Sequence, residues 1–72
     1  MDSNPYIPLN LHSISASNLQ ETVNYYRERL VPALDPAAGE AVDRMRRQLE
    51  AAIGAMEEEL RQREDDLRKE EQ

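Results

Sequence analysis

Apolar positions change their spacing twice along this 72-residue chain. In the opening stretch MDSNPYIPLNLHSISAS, Ile7, Leu9 and Leu11 alternate with Pro8 and Asn10. That period of two belongs to extended backbone. Pro5 and Pro8 deny this stretch a helix and push the residues before them towards extended angles. No second strand-like run exists to pair with it. Residues 1–17 therefore read as an extended arm, available either to a partner's groove or sheet edge or to the chain's own helices.

From Leu19 the period lengthens. Leu19, Val23, Tyr26 and Leu30 recur at steps of four, three and four and share one helical face. Ser17 with Gln20, or Asn18 with Glu21, has the spacing of a capping box. Pro32 disfavours helical angles at the residue before it. The expected helix covers about residues 18–31, with Tyr25 at the rim of its apolar stripe.

A turn at 32–35 follows. Asp35 has the chemistry of an N-cap and Pro36 suits a first helical turn, so a second helix is expected over about 36–70. At 1.5 Å per residue it extends roughly 50 Å, against roughly 20 Å for the first. Short turns make neighbouring helices antiparallel. The expected fold is all-α: an antiparallel helical hairpin spanning 18–72, with a short first and a long second helix. An extended N-terminal arm precedes it, and the whole forms part of a helical bundle with another chain.

The stripe of the long helix has a period of its own. A heptad register matches six of eight positions and fails at Arg46 and Arg63. An eleven-residue register joins Ala38, Leu49 and Leu60, then Val42, Ile53 and Glu64, then Met45, Met56 and Leu67. It matches eight of nine positions. Such a spacing predicts nearly straight or slightly right-handed packing in place of a long left-handed coiled coil.

Beyond about residue 52 the long helix is expected to outrun the short one. Its overhang carries Ile53, Met56, Leu60 and Leu67, whose full burial contributes on the order of 6–12 kcal/mol, at about 1.5–3 each. Surface pairs such as Glu57–Arg61, Glu59–Arg63 and Arg61–Asp65 contribute only about 0.2–0.5 kcal/mol apiece. Packing outweighs charge pairing, so the stripe requires cover. Gly54, between Ala51 and Ala55, costs roughly 1 kcal/mol in mid-helix, which a close backbone approach there would offset. The expected partner-binding residues are thus Ile53, Met56, Leu60, Leu67 and Gly54 on the long helix, with Ile7, Leu9 and Leu11 on the arm.

Composition then narrows the chemistry. Cysteine is absent and His12 is the only histidine, which argues against disulfides, thiolate metal sites and histidine metal sites. His12 reads as a solvated or hydrogen-bonded group more readily than as a pH switch. A net charge of −6 argues against nucleic acid as a ligand. Residues 57–72 hold eight acids against four bases, a balance of −4, while residues 40–50 balance three against three. Carboxylates such as Glu57, Glu58 and Glu59 point around the helix instead of converging. The serines lack a base and orienting acid beyond His12, and no glycine-rich loop is present for a phosphate.

The sequence therefore predicts no catalytic residues, cofactor, metal, small-molecule substrate or membrane span. It predicts a cytoplasmic protein of a bacterium or phage-infected cell. The expected function is a non-enzymatic interaction module (an assembly chaperone, adaptor or structural subunit) whose partner is a second copy or a larger protein. One alternative is an acidic, phage-encoded inhibitor that occupies a basic nucleic-acid-binding surface. A weaker one is an RNA-binding hairpin dimer using Arg44, Arg46 and Arg47, although Asp43 and Glu50 lie within pairing reach of those arginines.

Overall fold

The computed structural model describes residues 4–71, so the first three residues of the expected arm lie outside the described part. Among the described residues the protein is all-helical, with a shorter helical segment, one long helix and no strand. The arm contains a single 3₁₀ turn, Leu11–Ser13. Then come α1, Ala16–Tyr25, a π-helical turn, Tyr26–Leu30, and α2, Val31–Ala33. The long helix α3 is Glu40–Glu71.

The first helix starts earlier than the capping boxes suggest. Ser15 is its N-cap, and the Asn18 N–H donates to Ser15 Oγ at 3.2 Å. Three serines alternate here, and Ser15 is the one that an apolar residue precedes with its side chain on the core. Ile14, just before the cap, packs on the cluster that contains Leu19, a pairing that fixes how a chain enters a helix.

Pro32 does not end the helix at Leu30. The Val31 N–H reaches back five residues to the Tyr26 carbonyl, and the helix runs on to Ala33. Proline normally clashes with the carbonyl four residues behind it. A widened turn directly before it relieves that clash and lets the helix pass.

α3 begins four residues later than expected. The Asp35 carboxylate accepts the Ala37 N–H at 2.9 Å, and its carbonyl accepts the Ala38 N–H at 3.0 Å. Asp-Pro thus opens a β-turn, which favours the same two residue types as a helix start. Gly39, at φ +102°, occupies the left-handed region that favours glycine, and its carbonyl accepts the first bond of α3 from Asp43.

This longer connection sets where the two helical segments meet. Leu19 and Val23 of α1 are fully buried in one cluster with Ala52, Ile53 and Met56 of α3. Arg27 on the π turn pairs with Glu57 at 3.0 Å, and Val31 faces Glu50 and Ile53 across a shallow groove. α1 thus covers the middle of α3, past residue 52 where the overhang was expected to begin, and the open distal part of the stripe starts later, at Leu67. Six residues, 34–39, connect α2 to α3.

The arm supplies the other half of the cover. Asn4 Nδ2 donates to the Gln48 carbonyl at 2.6 Å, while Arg63 donates to the Leu11 and His12 carbonyls, each at 3.3 Å. The arm thus advances along α3 in the direction of α3 itself. Tyr6, Ile7, Leu11 and Ile14 pack partly buried against the core cluster.

Candidate interaction surface

On α3, positions 42, 45, 49, 53, 56, 60 and 67 fall on one face at the helical period, and their surroundings differ along its length. Leu49, Ile53 and Met56 are buried by the chain itself, and Leu60 is partly buried against the same cluster. Towards the start, Val42 is half-buried and Met45 is 38% exposed. Towards the end, Leu67 is 61% exposed. One stripe is therefore closed in its middle and open at both ends.

The distal opening is also the acidic one. Glu64, Asp65 and Asp66 are exposed beside Leu67, with Arg68 and Lys69 in the last turn.

The proximal opening is close to neutral. Arg47 pairs with Asp43 at 3.0 Å, and Arg44 shares a shallow surface depression with Glu40, Asp43 and Arg47.

Between the openings lies a polar clasp. Glu59, its side chain 11% exposed, accepts from Arg63 Nε at 3.1 Å and from His12 Nδ1 at 2.9 Å. Burial pushes the Glu59 carboxyl upward, but the hydrogen bonds and positive charge of Arg63 and His12 outweigh it, and the group sits below its ordinary range. The Arg63 guanidinium, 27% exposed, makes this bond together with its two bonds to arm carbonyls. Further along the arm the Tyr26 hydroxyl donates to the Tyr6 carbonyl at 2.9 Å, and the two rings meet edge to face with centroids 6.0 Å apart. Burial, then the neighbouring Tyr6 and Tyr25, raises the Tyr26 phenol above its usual value, which keeps that donor protonated. No buried side-chain polar atom among the described residues lacks a hydrogen-bond partner.

The chain matches no family model, and neither a curated protein nor a solved structure shows significant similarity to it.

The residues expected to bind a partner separate into groups. Ile53 and Met56 lie in the chain's own core, and Ile7 and Leu11 help to cover that core. Within this chain the arm and α1 pack against these positions, leaving Ile7 and Leu11 partly exposed. Gly54 is exposed, and a Cβ there meets nothing within 4 Å. The small residue buried in the core cluster is Ala52, two positions earlier. Leu9 and Leu67 are exposed, and Leu60 lies between the two classes.

Arg63, Glu59, Asn4 and Tyr6 were not expected as contact residues across the fold. One signal was present: Arg63 interrupts the apolar stripe in the heptad register. A charge on a buried face requires a specific partner, and two backbone carbonyls with one carboxylate provide it. Of the ion pairs read from spacing, Glu59–Arg63 forms, and the partners of the other two differ. Arg61 pairs with Glu58 at 3.3 Å, and Glu57 turns to Arg27.

Among the described residues no three histidine, cysteine or acidic side chains gather where they would hold a metal ion. No described helix is long and apolar enough to cross a membrane.

Proposed function

We propose that this chain is a non-enzymatic interaction module, a helical hairpin that docks on another protein through the distal end of α3. One observation carries the reading: Leu67 continues the core stripe yet is 61% exposed, within residues 57–72 where eight acids stand against four bases. The docking partner then presents an apolar spot inside a basic rim, and α3 joins it as one helix of a bundle. An assembly chaperone, an adaptor and a structural subunit all use a surface of this kind.

A photo-crosslinker placed at Leu67 and, separately, at Ala37 tests the proposal in cells that express the chain. Products at Leu67 that vanish with Glu64→Lys and Asp65→Lys support it. Equal labelling at both positions would reject it. Light scattering across concentration tells whether the partner is a second copy, since self-association raises the mass and Leu67→Asp restores the monomer.

The exposed acids favour a second reading as well, in which the end of α3 occupies a basic nucleic-acid-binding surface of its target. Salt separates the two, because a contact made mainly of charge weakens steeply with ionic strength and an apolar one does not.

A further inference from the structure

The arm differs in kind from α1, although both lie on α3. None of residues 4–15 is fully buried, whereas Leu19 and Val23 of α1 have no exposed surface. The arm's own backbone bonds are short-range, Ile7 to Asn4 and Ser13 to Asn10. It joins α1 through Ile14 and Ser15, both extended, at ψ 140° and 151°. Segments with few buried groups and little backbone pairing open at lower free energy than the core. Beside the partial packing of Tyr6, Ile7, Leu11 and Ile14 and the Tyr26 hydroxyl bond to the Tyr6 carbonyl, the arm is tied by polar contacts near its two ends: Asn4 on the Gln48 carbonyl at one, and Arg63 with Glu59 on Leu11 and His12 at the other.

We propose that the arm is a strap that opens as a unit about Ile14–Ser15 while α1 remains on α3, and that the Arg63–Glu59–His12 clasp sets how much of it is closed. Arg63 is the keystone. One guanidinium fork holds two arm carbonyls and the carboxylate that in turn holds His12. A lysine keeps the charge but lacks the fork. Opening removes the cover supplied by Tyr6, Ile7 and Leu11, which lengthens the exposed stripe from Leu60 and Leu67 back towards Ala52 and Met56. The strap needs no partner to exist, so it stands or falls separately from the docking proposal.

Nuclear magnetic resonance on the intact chain tests it. The Tyr6–Tyr26 ring cross-peak reports the closed strap, and cross-peaks between Leu19 and Met56 report the α1–α3 core. In Arg63→Gln the ring cross-peak should fade and the Ile7 and Ser13 amides should exchange at least tenfold faster, with the core cross-peaks retained. Arg63→Lys should fall between this variant and the unaltered chain, and Glu59→Gln should move in the same direction as Arg63→Gln. An unchanged ring cross-peak in Arg63→Gln would overturn the clasp. Simultaneous loss of ring and core cross-peaks in all three variants would overturn the strap, because the arm would then be an integral part of the core.

Discussion

The middle of α3 and its ends carry the same stripe on the same helix, yet they live in different environments. Met56 has no exposed surface, whereas Leu67, eleven residues on and on the same face, is 61% exposed. Side-chain type does not explain the contrast, since both are large and apolar. Cover does: α1 lies along one flank of the middle section and the arm along the other, and neither reaches the last turns. Periodicity thus reveals which face of a helix is sticky, while the neighbouring elements decide which length of that face is satisfied.

The contrast breaks most visibly under truncation. Met56→Ala should cost about 2–5 kcal/mol, because it leaves a cavity among packed neighbours. A domain of this size holds only about 3–5 kcal/mol in its core, so the variant should lose most of its helicity at 25 °C by far-UV circular dichroism. Retention of a sharp urea transition with an unchanged midpoint would mean that the middle of α3 is not the core.

Acid probes the arm's side of the cover. The Glu59 carboxyl is held below its ordinary range by Arg63 and His12. A depressed carboxyl contributes stability that is fully present above its unfolded value and is lost as pH falls through the lower folded value. Urea midpoints measured from neutral pH into this acid window should therefore decline. Glu59→Gln should flatten that decline, while substitution of the exposed Glu58 should not. Identical acid limbs in both variants would detach Glu59 from the cover.

Gly54 sharpens the comparison from the opposite flank. Because a Cβ there meets open space, Gly54→Ala should stabilise the chain by roughly 0.5–1 kcal/mol through helix propensity alone. A thermal midpoint that rises while docking weakens would assign the glycine to a partner. A midpoint that falls would contradict the open space itself.

The smallest effect belongs to Leu67→Ala, which should shift stability by less than about 0.5 kcal/mol. A loss comparable to that of Met56→Ala would show that the distal turns are covered after all.

Much of this arrangement is legible in the residues, and the parts that are not have identifiable causes. The stripe of Leu19 and Val23 and the stripe of Leu49, Ile53 and Met56 follow from spacing, because burial on one face imposes the helical period. The cap at Ser15 does not follow, since Ser13, Ser15 and Ser17 offer the same oxygen and only the packing of Ile14 separates them. Asp35-Pro36 reads equally as a helix start or a β-turn, and it is Gly39 at positive φ that selects the turn. Four residues of delay there move α1 along α3, and with it the location of every exposed apolar residue.

The sequence by itself determined the helical class, the two amphipathic faces, the acidic end and the chemistry ruled against by missing cysteine and solitary histidine. These are local properties, set by residue type and short-range spacing. Only the tertiary structure decided the offset between α1 and α3, the return of the arm onto its own helix and the meeting of His12 with Glu59 and Arg63. Each of those depends on contacts between residues about 30 to 52 positions apart. Such contacts are chosen by the geometry of a six-residue loop and by how much surface the whole chain can bury at once, and no short window of sequence contains either quantity.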